Sequence, residues 1–206
     1  MITGHTSDDR QHFAVADLTR QCQIANGSVH ALRDWGLINR LVVHRNSLAA
    51  HTKPITEDQL DAMSLAAAFS DPVLGTGGKM PYHFVVCTDG RVEQLLPLGR
   101  LAQHAVGSNV TGIGICVVGQ KRPASGEQTI GLVELCARLR GLNGGLGVFG
   151  HSNPDGGVFW LTDASRHKSK RCPEPVVDME TLAMLLAART LPLEPRWTCE
   201  AAGVVF

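Results

Sequence analysis

The apolar residues of the chain come in short dense runs separated by polar stretches, and the period inside each run indicates an element. LINRLVVH (37–44) is an apolar strand that ends on a histidine. TEDQLDAMSLAAAF places Asp58 or Gln59 in capping positions ahead of an Ala/Leu-rich body, which predicts a helix over about 57–69, and 70–81 reads as loop. YHFVVCT and RVEQLLP flank Asp89-Gly90 as the arms of a hairpin. GIGICVVG (112–119) is short, apolar and bounded by glycine, the pattern of a strand buried on both faces. Residues 126–141 predict a helix with Ile130, Val133, Leu135, Cys136 and Leu139 inward. GLGVFGH (145–151) is another strand ending on a histidine, and DMETLAMLLAARTL (178–191) is the last helix. Strands alternating with helices around one hairpin define an α/β class with a central mixed β-sheet flanked by helices.

Upstream, Val15, Leu18 and Cys22 stand at helical spacing before the turn-prone Asn26-Gly27, and Ser28 can cap a second helix carrying Val29, Leu32 and Trp35. This predicts a small N-terminal helical extension over 1–36 with a helix–turn–helix shape, a main domain over 37–191, and a tail over 192–206 punctuated by Pro192 and Pro195. Two short helices bury too little surface to stand alone, so Leu32 and Trp35 are expected to pack on the main sheet or complete a tiny subdomain.

Nineteen Lys and Arg balance nineteen Asp and Glu, so nothing global points to nucleic acid or anionic membrane as a partner. MITGHTSDDRQHF has no basic region followed by an apolar one, and no window nears the roughly 18 apolar residues of a membrane span. The expectation is synthesis in the cytoplasm without a signal peptide. Cys87, Cys116 and Cys136 lie inside apolar runs and read as reduced core thiols, whereas Cys172 sits in KSKRCPEP beside Lys168, Lys170 and Arg171. Those cations favour the thiolate, the form that binds metal.

Two predicted strands thus end on His44 and His151, and functional groups commonly collect at strand ends. With Cys172 they make a nitrogen and sulfur donor set suited to zinc, leaving a fourth position for water. Spacing alone does not decide the matter in a chain with nine histidines.

The ordered set VVHR, PYHFVVCTDGRVEQLLPLGR, QHAVGSNVTGIGICVVG, GH and KRCP resembles the zinc-dependent N-acetylmuramoyl-L-alanine amidases, the type 2 amidase and peptidoglycan-recognition fold, over roughly residues 38–190. Within that family the pattern is most like the phage lysozyme-amidases. The resemblance implies a Zn²⁺ cofactor on His44, His151 and Cys172, a catalytic pair in Tyr82 and Lys170, and a substrate groove lined by His104 and Asn109. It implies hydrolysis of the amide between N-acetylmuramic acid and L-alanine, with peptidoglycan or a muropeptide as partner. As an endolysin the chain would reach the cell wall after release, depending functionally on a holin. A monomer without strong nucleic-acid or membrane binding is expected.

Two departures matter. Cys116 stands where some relatives carry a glutamate base, which shifts the load to Tyr82 and zinc. The interval from His151 to Cys172 is long, with an insertion in 152–167, so Asp163 or His167 competes as third ligand. His83 alternates with Tyr82 and reads as a packed, hydrogen-bonded residue. Trp160 is either groove lining or a packing anchor, while Arg45 and Lys79 flank the site. A non-catalytic muropeptide-binding module and a nucleic-acid-binding regulator acting through 14–36 are the competing functions. The second has only Arg20, Arg33 and Arg40 to work with.

The register through the long interval is testable. Lys170→Ala is expected to retain zinc and lose about two to four orders of magnitude in turnover of cell walls. A silent Lys170→Ala beside a damaging Lys168→Ala would move the assignment by two residues.

Overall fold

The structure, a computed structural model, describes residues 15–19, 31–45, 81–105, 107–119, 122–151 and 172–189. The helix expected over 57–69, the loop expected over 70–81 except for Pro81, the insertion 152–167, Lys170 and the tail 192–206 lie outside the described residues.

Six strands form one mixed sheet: β1 (Val15–Asp17), β2 (Arg40–Arg45), β3 (Phe84–Val86), β4 (Val92–Gln94), β5 (Gly112–Val117) and β6 (Gly147–Gly150), in the spatial order β1-β4-β3-β5-β2-β6. The β3–β4 pair is antiparallel and every other neighbouring pair is parallel. The hairpin turns where expected: Gly90 has φ +81, a conformation that glycine adopts without strain, and Asp89 accepts from the Arg91 N–H. β5 lies between β3 and β2, and all six of its residues are buried, as its glycine-bounded apolar run predicts.

Helices α1 (Gly126–Leu142) and α2 (Met179–Ala188) cover one face. Leu41 and Val43 of β2, Phe84 and Val86 of β3, and Ile113, Ile115 and Val117 of β5 pack against Leu132, Leu135, Cys136 and Leu139 of α1 and Leu182 and Leu186 of α2. Ile130, expected inward, is 64% exposed. The buried stripe runs through 132, 135, 136 and 139, and Ile130 is two residues, about 200° of helix, away from Leu132. An ion pair between Arg189 and Glu134 ties α2 to α1.

The helical reading of residues 14–36 is corrected at 15–17 and 31–37, while Thr19 is helical. Val15–Asp17 is an edge strand parallel to β4, and Leu18 N–H continues the pairing to the Gln94 carbonyl. Leu32 is 75% exposed and forms an isolated bridge with Arg100, and Trp35–Leu37 is a single 3₁₀ turn capped by Asp34. The open edge of β4 offers backbone partners that a short helical pattern cannot match locally. Arg33, which the nucleic-acid reading needs on the surface, instead donates to the carbonyls of Leu98, Asn109, Val110 and Gly112. Arg40 donates to Asn39 and lies 5.9 Å from the centre of the Phe149 ring. Residues 20–30 lie outside the described residues.

α1 begins with a capping box. The Ser125 hydroxyl accepts from Gln128 N–H at 3.1 Å while the Gln128 side chain accepts from Ser125 N–H, and the same hydroxyl donates to Thr88 O in the hairpin. Ser125→Ala is therefore expected to cost about 1–2 kcal/mol in urea unfolding, with unchanged circular dichroism before the transition.

Candidate metal centre

Parallel pairing sets the site. Val43 is the register partner of Gly150, and His151 N–H donates to Val43 O at 3.0 Å, so the residues that follow, His44 and His151, stand side by side at the carboxyl ends of β2 and β6. Their ring centres are 4.5 Å apart. Strand ends of this kind are where open α/β sheets place ligands.

Cys172 arrives from the segment before α2. Pro173 lies against Gly150 at the end of β6, and Val176 and Val177 are buried in the core beneath. Ala124 N–H bonds to Val176 O, fixing that segment to the start of α1. The Cys172 Sγ accepts the Arg45 N–H at 3.3 Å, a bond that favours the thiolate. One donor atom from each of His44, His151 and Cys172 lies within 4.8 Å of the others. Two imidazoles and a thiol at that spacing fit a divalent zinc ion by donor chemistry.

Behind this cluster the face opposite the helices is packed. Tyr82, Val85, Cys87, Leu95, Leu96, Ala102 and Cys116 form its second apolar cluster. The Tyr82 ring centre is 5.1 Å from that of His44, and Cys116 is the register partner of His44 on β5. Burial, followed by the charges of His151 and His104, holds His44 well below the ordinary imidazole range, so it is neutral and able to ligate. Burial, with Cys116 and Cys172 nearby, pushes the Tyr82 phenol well above its usual value. Cys116 is raised in the same way, chiefly by burial, and remains a thiol.

His104 and Asn109, the residues that the resemblance assigns to a substrate groove, lie close to this cluster. His104 is only 7% exposed, with its Nδ1 3.1 Å from His44 Nε2 and its Nε2 3.2 Å from Gly112 O. Asn109 Oδ1 accepts the Ala105 N–H at 2.8 Å, closing the loop that carries His104. His83 is a packed, hydrogen-bonded residue as expected: its Nδ1 accepts from Gly114 N–H, and its Nε2 lies 3.0 Å from Arg100 O. The contact between His104 and His44 was not foreseen from sequence. Its one visible signal is the pair of glycines, Gly112 and Gly114, on the β5 face where His104 lies.

A family model described as N-acetylmuramoyl-L-alanine amidase matches residues 33–175. The chain belongs to this amidase family. Its fold is similar to that of the Ph2119 endolysin from Thermus scotoductus MAT2119 bacteriophage Ph2119 (18% identity, 84% of this chain and 98% of that one, TM-score 0.60). It is also similar to the N-acetylmuramoyl-L-alanine amidase LysC from Clostridium intestinale URNW (16% identity, 84% and 97%, TM-score 0.51). The Drosophila peptidoglycan recognition protein PGRP-SA shares the fold too (17% identity, 81% and 89%, TM-score 0.55). A search of curated protein sequences returned no match. No helix among the described residues is long and apolar enough to cross a membrane.

Neutral buried histidines couple the fold to pH. His104 falls from its ordinary 6.5 to about 3, mainly by burial, and His44 is lowered for the same first reason. Below pH 6.5 the unfolded chain therefore binds protons that the folded chain does not. The stability due to these groups is complete above pH 6.5 and is lost as pH falls toward the folded values. With metal removed by a chelator, unfolding free energy is expected to drop by about 1.4 kcal/mol per pH unit per histidine below pH 6. A flat profile between pH 6 and 4 would contradict neutral burial.

Proposed function

We propose that the chain is a zinc-dependent hydrolase of the amide between N-acetylmuramic acid and L-alanine in peptidoglycan, acting as a phage or prophage endolysin. The observation that carries this reading is the convergence of His44, His151 and Cys172 at one end of the sheet beside the buried phenol of Tyr82. Membership of the amidase family supports the bond, and the likeness in fold to a phage endolysin is consistent with the setting.

Zinc held by His44, His151 and Cys172 would supply Lewis acidity and a water of lowered pKa. The chain's own groups do the rest. Hydrolysis adds water to the amide carbon, breaks the C–N bond and leaves a proton on the alanine nitrogen. Tyr82 keeps its Oη proton at neutral pH, so it can donate to the carbonyl oxygen as negative charge grows there, or relay a proton to the departing amine. Cys116 is a buried thiol that holds its proton, and it does not act as the base. Lys170, whose role rests on the KRCP motif, supplies positive charge to the oxyanion.

The alternative is a non-catalytic muropeptide-binding module. Cys172 beside two imidazoles favours the hydrolase, because recognition alone has no need of a thiolate and two nitrogen donors around one point.

Digestion of purified cell walls is expected to release peptides with new L-alanine N-termini and no new reducing sugar, and Cys172→Ser is expected to lower zinc content and turnover together. New reducing ends without new amines would assign the wrong bond. Full zinc and full activity in Cys172→Ser would transfer the third ligand to Asp163 or His167.

A further inference from the structure

His104 is a buried polar residue beside the centre that the proposed chemistry does not use. A backbone carbonyl can only accept, so the 3.2 Å contact of His104 Nε2 with Gly112 O places the ring proton of a neutral His104 on Nε2. His104 Nδ1 is then an acceptor, and its partner at 3.1 Å, His44 Nε2, must be the donor. A neutral His44 with its proton on Nε2 has Nδ1 unprotonated. The two rings stand nearly perpendicular, at 88° with centres 5.2 Å apart, as an in-plane N–H directed at the neighbour's edge lone pair allows.

The fold makes room for this contact. A β-carbon on Gly114 would stand 2.7 Å from His104 Cγ, and one on Gly112 would stand 2.9 Å from its Cε1. Side chains at either position would displace the ring, so β5 carries two glycines on the face where His104 lies flat.

We propose that His104 is a positioning residue of the metal centre: through the relay Gly112 O, His104, His44 it fixes His44 with its proton on Nε2 and presents Nδ1 as the metal-binding atom. The relay lends basicity and orientation to a ligand, as a hydrogen-bonded partner behind a metal-bound histidine does elsewhere. It rests on the metal reading given above, and it gives His104 a role other than touching substrate.

The test is made on the full chain, with zinc as probe. Long-range proton–nitrogen NMR of the metal-free wild type is expected to show His44 protonated at Nε2; protonation at Nδ1 overturns the proposal whether or not any variant folds. Zinc affinity, measured by chelator competition, is expected to weaken about 10- to 100-fold in His104→Leu. His104→Asn keeps an acceptor oxygen near the place of Nδ1 and is expected to recover most of that loss, which a purely space-filling role would not produce. Wild-type affinity in a folded His104→Leu overturns the relay and leaves the zinc hydrolase standing. A wild-type chain that binds no zinc removes both.

Discussion

Parallel pairing of β2 with β5 on one side and β6 on the other is the constraint on which the site depends. It brings three carboxyl ends to the same edge, and it sets His44 beside both His151 and Cys116. Side chains alternate along a strand, so a slip of one residue would send His44 into the helix-packed core and bring Val43 out to the site. The register is held from the other face: Leu41 and Val43 pack in the same cluster as α1 and α2. Apolar packing on one side of the sheet thereby decides the position of the imidazoles on the other.

The second constraint is burial without net charge. His44 is 1% exposed and its neighbours Tyr82, His104 and Cys116 are likewise buried. Such a group of polar side chains is tolerated because each stays uncharged and bonds to its neighbours or to backbone, as His104 does to Gly112 and His83 to Gly114. Arg33 is the cation in this region, and it is offset by four carbonyl acceptors instead of a carboxylate, with burial lowering it to about 10. That staple fixes the loop bearing His104 and Asn109 against the residues before β2.

Much of this was legible in sequence where local pattern and tertiary demand coincide. The apolar run of β5, the Asp89-Gly90 turn and the two strands with a histidine at their carboxyl ends all report their own environment, and each is found in the structure. The failures fall where the deciding partner is remote. Val15 and Leu18 show a helical spacing, yet the vacant edge of β4, some 75 residues on, makes a strand of Val15–Asp17. Ile130 is apolar and near the inward stripe, but helix geometry rotates it to the surface. The bond of His104 to His44 has no signature in periodicity, because only the assembled sheet shows that two glycines eight and ten residues later leave space for the His104 ring.

Cys116 shows how these constraints act on the chemistry. The resemblance puts a glutamate base at its position in some relatives, and here the residue is wholly buried at the register partner of His44. A carboxylate so enclosed would need a cation or several donors to remain charged, and its pKa would otherwise rise until it protonated. A thiol asks for neither and fills less volume, which suits a site face built on Gly112, Gly114 and Cys116. The consequence is chemical: the group beside His44 on β5 is a thiol that keeps its proton, so under the proposed function proton movement during amide cleavage passes to other groups, the phenol of Tyr82 and the ammonium of Lys170. The identity of one buried residue in β5 thus bears on where the site must look for its acid and its base.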